Sequence, residues 1–273
     1  MLTLPAPAKL NLFLHIIGRR ADGYHELQSV MQFIDFCDEL SFDLTSDHHI
    51  IVQTNYDEVP MENNLVYRAA RALQEKCHVS RGALITLTKN LPVGAGLGGG
   101  SSDAATTLWG LNQLWGLDLN VDELALIGVQ LGADVPFFVR GFAAWVEGIG
   151  EQLTPMTLPE PWYLLAIPGC MVSTAHLFSS PQLTRDCSPL TIGGYVFGNG
   201  RNVFADIVYH DYPPVKEAVA WLSAFSEVRM TGTGCVVFAI FDTAHEAGTI
   251  AALAPVGLRC VIARGLNRSP LFS

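Results

Sequence analysis

Residues 92–106 read PVGAGLGGGSSDAAT, with glycines at Gly94, Gly96, Gly98, Gly99 and Gly100. Glycine has no Cβ, so its amide can approach a ligand closely and its backbone can turn where other residues cannot. The segment that follows, 101–115, has helical composition, so these glycines open a helix. A helix start presents unpaired N–H groups and positive potential. Ser101 and Ser102 add two hydroxyls there. Together these features predict a phosphate-binding loop.

Other readings of the stretch are weaker. Residues 94–99 match the GxGxxG spacing of dinucleotide folds, but neither the preceding βαβ opening nor the later acidic residue accompanies it. No Gly-Lys-Ser or Gly-Lys-Thr follows, so the Walker-type P-loop fails. A plain helix-entry turn needs fewer glycines. A second loop, MTGTGC at 230–235, again combines hydroxyls with glycines, just before the apolar run 236–241. Two such loops predict a single site to which both halves of the chain contribute.

Outward from these loops, residues 2–17 and 24–44 are strand-like, and Pro5 and Pro7 fit an edge strand. Shorter strands are predicted at 49–54 and 83–88. Residues 64–77 carry Leu65, Ala69, Ala72 and Leu73 on one helical stripe. A further helix is expected at 122–131, and 134–138 reads as a turn entering a strand. The stretch 147–161 is interrupted by glycines and prolines, and the pattern then restarts. Beyond it come strands at 163–167 and 259–263, helices at 215–226 and 245–254, a loop-rich region at 179–202, and a glycine turn with a strong strand across 229–240. The chain is expected to be α+β, with two domains at 1–152 and 153–273.

Composition narrows the class. The 273 residues are 49% hydrophobic and 10% aromatic, which excludes disorder. No apolar run approaches the roughly 20 residues of a membrane span. The N-terminus lacks the order of a secretory signal, so a cytoplasmic protein without membrane association is expected. A net charge of −10 disfavours nucleic-acid partners. Cysteines at 37, 77, 170, 187, 235 and 260 form no CxxC pair or zinc ladder and are expected to be reduced. A monomer or weak homodimer is expected, since no interface is legible.

Two charged residues stand among apolar neighbours. Lys9 is either a solvated edge lysine or an inward one, and Asp134, in LGADVPFF, either caps a helix or reacts. Phosphoryl transfer to an alcohol needs a proton acceptor and a cation, and these two could supply them. His25 is an alternative base, or with Tyr24 part of a ring-binding pocket.

The motifs PAPAKLNLFLHIIGRRADGYHELQSV at 5–30, LPVGAGLGGGSSDAA at 91–105, LGADVPFF at 131–138 and MTGTGCVVF at 230–238 together resemble the GHMP kinase superfamily. PAPAKLNLFL, GYHELQS and LGADVPFF are similar to its diphosphocytidyl-methylerythritol kinase branch. The resemblance implies an N-terminal domain like ribosomal protein S5 and a ferredoxin-like C-terminal domain. It implies transfer of the terminal phosphate of ATP to the 2-hydroxyl of a small cytidine diphosphate-linked polyol, in the non-mevalonate route to isoprenoid precursors. By the same resemblance, Asp134 is the base and Lys9 its electrostatic partner, Asn11 binds the methylerythritol end, and Tyr24, His25 and Phe178 hold the cytidine. ATP is expected against Asn64, Leu65, Lys89, Gly96, Leu97, Gly98, Gly99, Gly100, Ser101 and Ser102, with Gly232 and Thr233 completing the site. Mg²⁺ is expected, with no protein ligand assigned. The chain departs from the family pattern at Asn63, Val203 and Cys235. A GHMP kinase of the homoserine or mevalonate class, or a non-catalytic nucleotide-binding relative, are the alternatives.

Overall fold

The structure is a computed structural model that describes residues 1–56 and 59–272. Two long strands organise it. β1 (Leu2–Arg19) and β2 (His25–Thr45) form an antiparallel ladder along most of their length. β3 (Ile50–Thr54) leads to helix α1 (Leu65–Lys76), whose start is capped by the Asn64 side chain accepting from the Val66 amide at 2.9 Å. β4 (Gly82–Thr88) then precedes the glycine loop and helix α2 (Gly99–Trp115), which Gly116 ends in the left-handed region. Helix α3 (Val121–Leu131) opens with a capping box in which Asn120 and Glu123 satisfy each other's backbone amides.

Residues 134–138 form no strand. They enter helix α4 (Val135–Arg140), with Pro136 in the first turn, where its missing N–H costs nothing. The apolar run that suggested a strand is buried because the helix packs it inward: Val135, Phe137, Phe138 and Val139 are all in the core. The turn-rich stretch 147–161 begins with the turn and second strand of a hairpin, β5 (Ala144–Glu147) and β6 (Gln152–Pro155). The division at 152/153 therefore falls within β6. Beyond it lie β7 (Trp162–Ile167), α5 (Thr174–Ser179), α6 (Ala205–Asp211), α7 (Pro213–Leu222), β8 (Val228–Met230), β9 (Val237–Phe241), α8 (Ala244–Ala251) and β10 (Arg259–Leu266). Helices α5 and α6 are too short for their periodicity to show in sequence.

The sheet runs β3-β4-β2-β10-β7-β9-β8, with β1 and β5 also pairing β2. β2 joins the halves: its residues 39–45 pair β4, 29–31 pair β5, and Phe33 and Ile34 meet the end of β10. Two hydrophobic cores lie on its opposite faces, as the two-residue period of a strand requires. Val30 and Ile34 enter the C-terminal core, while Met31 and Phe33 enter the core beneath α1–α4. Along β1, Ala8, Leu10, Leu12, Leu14 and Ile16 belong to the C-terminal core, so Lys9 and Asn11 between them face the other way. β1 finds a ladder partner only in β2 among the described residues, as the prolines predicted. Its outer edge is nonetheless covered by the loop at 201–203, where Leu14 bonds Arg201 and Val203 through the backbone.

Phe33 is fully buried and stacks on Phe137 with ring centroids 4.4 Å apart, pinning α4 to the shared strand. Phe33→Ala should lower the unfolding free energy by about 3–5 kcal/mol. Chemical denaturation measures this, and a loss below about 1 kcal/mol would remove Phe33 from the structural core.

Candidate active site

Lys9 is 3% exposed, in the middle of a strand. Its backbone amide bonds the Leu97 carbonyl at 3.0 Å, stitching the glycine loop to β1. Its ammonium donates to Asn11 Oδ1 and, at 3.0 Å, to the Gly96 carbonyl, and lies 3.7 Å from Asp134 Oδ2. Burial pulls the Lys9 pKa below its ordinary value, and the Asp134 charge offsets this only in part. The Asn11 amide cannot turn over, because its Nδ2 donates to Ser29 Oγ at 2.8 Å and Ser29 in turn donates to the Phe13 carbonyl at 2.5 Å. Its oxygen is therefore committed to Lys9.

The second glycine loop closes on the first. Thr231 Oγ1 accepts from the Asn11 backbone amide at 2.9 Å and donates to the Gly96 carbonyl at 3.2 Å. Asn202 holds this loop from behind, donating to the carbonyls of Met230 at 2.9 Å and Gly232 at 2.7 Å. Two glycines are required by the approach itself. Gly96 has φ +79°, and a Cβ there would fall 2.2 Å from the Thr231 carbonyl oxygen. Gly98 has φ +72°, with the Phe138 ring 2.8 Å from the place of its Cβ.

Two cavities flank the loop. One of about 340 Å³ is lined by Asn64, Leu65 and Lys89 and by the loop from Gly94 to Ser101. The other, about 350 Å³, is lined by Lys9, Asn11, Asp134, Phe178, Gly232 and Thr233 among others. Gly96, Gly98 and Ser101 line both. Asp134 sits at the N-cap position of α4, yet its side chain makes no capping bond and turns instead toward Lys9. Ser102 points into the protein, fully buried, its hydroxyl without a partner among the described residues.

Lys89 lines the first cavity with its ammonium already engaged by Asp38 and, at 2.8 Å, by Asp103 Oδ2. Burial works against the Lys89 charge, but Asp103 and Asp38 outweigh it and raise its pKa. Asp38 also accepts from the Asn90 and Leu91 amides at 2.6 and 2.8 Å, fixing the chain that enters the glycine loop. Sequence reasoning missed Asp38 and Asp103. Asp103 lay inside the glycine-loop motif, but its partners are 14 and 65 residues away in the chain. Ser29 and Thr231 were missed for the same reason.

The remaining residues lie at the far end. Tyr24 is 60% exposed in the turn between β1 and β2 and does not line the second cavity. His25 stacks on Phe178 with centroids 5.1 Å apart, and Phe178 packs edge-on against Phe204. The structure thus brings together Lys9, Asn11, Asp134, Phe178 and both glycine loops, and leaves Tyr24 and His25 outside the cavity lining, His25 stacked behind Phe178.

A glycine loop at a helix start, a second cavity sharing that loop, and a buried Lys9 facing a half-buried Asp134 in that cavity define a small-molecule kinase of the GHMP type. Residues 64–142 match the family description "GHMP kinases N terminal domain". A solved structure titled 4-(cytidine 5'-diphospho)-2C-methyl-D-erythritol kinase superposes with a TM-score of 0.85 at 30% identity, covering 97% of this chain and 99% of that one. A mevalonate kinase structure at 14% identity shares the fold, with a TM-score of 0.72 over 98% of this chain and 100% of its own. The 4-diphosphocytidyl-2-C-methyl-D-erythritol kinase of Nitrosococcus oceani is 53% identical over 272 residues, 100% of this chain and 97% of the relative. That of Pseudomonas putida is 54% identical over 270 residues, 99% and 94% of the two chains. The chain belongs to the 4-diphosphocytidyl-2-C-methyl-D-erythritol kinase family.

Gly96→Ala places a methyl group against the Thr231 carbonyl. It should lower kcat at least about tenfold, because small displacements of a positioned phosphate are costly. Unchanged steady-state rates would show the loops can part freely. Asp103 supplies a second expectation. Its carboxyl is pushed up to about 7, by burial first and then by the Asp38 charge, against the pull of Lys89. The native state then binds a proton that the unfolded chain releases near 3.8, so this group lowers stability as pH rises from about 4 to about 7. Asp103→Asn should flatten the fall in Tm across that window. A variant curve as steep as the wild type would place the proton elsewhere.

Proposed function

We propose that the chain transfers the γ-phosphoryl group of ATP to the 2-hydroxyl of 4-diphosphocytidyl-2-C-methyl-D-erythritol. The observation that carries this reading is the pair of cavities meeting at Gly96, Gly98 and Ser101, with Lys9 and Asp134 lining only the second. ATP occupies the first, its nucleoside beside Asn64, Leu65 and Lys89 and its phosphates along Gly96–Ser102 at the start of α2. Free backbone amides and the positive end of a 17-residue helix favour phosphate there. Because Lys89 is held by two carboxylates, it serves to shape the nucleoside wall and not to neutralise phosphate.

The acceptor alcohol lies in the second cavity, with Asn11 at its methylerythritol end and His25, Phe178 and the rim residue Tyr24 toward the cytidine. Asp134 accepts the hydroxyl proton. The freed oxygen bonds the γ-phosphorus as the bond to the β-bridging oxygen breaks, and ADP leaves. Lys9, 3.7 Å from Asp134 Oδ2, steadies negative charge as it develops. Gly232 and Thr233 close the site from the C-terminal half. A two-domain division after residue 152, inside β6, is part of the reading, with β1, β2, the glycine loop and β5 also lending side chains to the core of the C-terminal half.

Family chemistry implies Mg²⁺. Among the described residues no three acidic, histidine or cysteine side chains gather to hold a metal. A magnesium held chiefly by phosphate oxygens and water needs few protein ligands. The Ser101 hydroxyl, lining both cavities, fits that requirement. Bound there, the ion would neutralise the transferred phosphates. No helix among the described residues is long and apolar enough to cross a membrane. A cytoplasmic location is part of the reading, supported by six free cysteines.

Asp134→Asn should lower kcat by about 10²- to 10⁴-fold, the usual worth of a positioned base, with ATP binding retained. Steady-state rates and nucleotide titration of the folded variant measure this, and near-normal turnover would remove Asp134 as the base. Phosphorus NMR of the wild-type product should place the new phosphate on the 2-oxygen.

A further inference from the structure

Arg185 lies in the loop-rich region, distant in sequence from every motif described above, yet four of its five guanidinium N–H groups are engaged. Nε donates to His25 Nε2 at 3.2 Å. Nη1 donates to the Leu183 carbonyl at 3.0 Å, and Nη2 to the carbonyls of Phe178 at 2.8 Å and Ser180 at 3.0 Å. One side chain thus fixes both the His25 ring and the backbone of the residue on which that ring stacks.

The chemistry of the contact dictates the state of the histidine. A guanidinium only donates and stays charged, so His25 Nε2 has to receive the bond through its lone pair. A neutral imidazole has one accepting nitrogen, so the other, Nδ1, carries the proton. Protonating Nε2 would set two N–H groups and two positive charges against each other. Burial first, then the charges of Arg185 and Arg19, hold the His25 pKa below its usual value, which keeps the ring neutral. Stacking on Phe178, which lines the acceptor cavity, fixes the plane of the ring.

We infer that Arg185 is a positioning residue for substrate specificity: it locks His25 as the Nδ1–H tautomer against Phe178, so that a fixed hydrogen-bond donor stands beside the acceptor cavity, next to Phe178, for a lone pair on the substrate's base. The inference deepens the cytidine reading above and rests on it for the identity of the base. Cytosine carries lone pairs at O2 and N3, where uracil has N–H at N3. A donor that cannot exchange roles therefore favours a cytosine ring over a uracil ring where it meets N3, since both rings accept alike at O2.

The test separates tautomer from substrate. Nitrogen-15 NMR of histidine-labelled protein should show His25 with a protonated Nδ1 and an unprotonated Nε2 in the wild type. In Arg185→Met the other tautomer should appear. Arg185→Lys, which keeps the charge but cannot make four directed bonds, should give a mixture, and serves if the methionine variant is poorly folded. In both variants KM for the cytidine-bearing alcohol should rise about tenfold, the loss of roughly one oriented hydrogen bond, while KM for ATP stays within about twofold. A wild-type His25 protonated at Nε2, or an unchanged tautomer and unchanged acceptor KM in both variants, would overturn the inference. Equal rises in both KM values would also overturn it. If the tautomer shifts as stated while even the wild type does not turn over the cytidine-bearing alcohol, the lock stands and the functional reading fails.

Discussion

One buried ammonium governs the structure of this site. Lys9 sits in a strand covered on both faces, and a charge taken out of water costs several kcal/mol unless partners replace the solvent. The partners available are Asn11 Oδ1, the Gly96 carbonyl and, slightly farther, the Asp134 carboxylate. Each belongs to a different functional element: the strand itself, the phosphate loop and the residue entering α4. Satisfying one charge therefore sets the relative positions of the glycine loop and Asp134. That economy is why the strand tolerates a lysine between Ala8 and Leu10, both completely buried.

The same logic explains why both halves of the chain are needed. Gly96 O receives Lys9 from one side and Thr231 from the other, and Asn202 ties the Thr231 loop to the C-terminal unit. β2 passes through both cores and keeps this alignment rigid. With a net charge of −10 the protein as a whole repels two anionic substrates. Backbone amides, a helix start and a few placed cations must hold them instead. The nearby Lys89 is withdrawn from that role by Asp38 and Asp103, which turns it into part of the scaffold.

Much of this was legible in the chain. Apolar patterning located the long strands, α1 and α3, which run long enough to show it, with capping residues at the starts of both helices, while helical composition after the glycines located α2. It misread 134–138, where a buried helix of six residues and a buried strand have the same apolar composition. The glycine loop and the kinship of its motifs pointed to Lys9 and Asp134, but not to what holds them. Ser29, Thr231, Asp38 and Arg185 act through contacts that span 16 to 220 residues of chain. No local pattern announces such contacts, since they exist only once the sheet brings β1, β2 and the two loops together.

The central claim is that Lys9 and Asp134 work as one unit across the acceptor cavity. A double-mutant cycle on kcat measures it directly, comparing Lys9→Met, Asp134→Asn and the pair in folded protein with ATP and the cytidine-bearing alcohol. Residues that act together are strongly non-additive, so the double variant should be slower than the worse single variant by no more than about threefold. Losses that multiply independently would contradict the coupling on which the whole site is built.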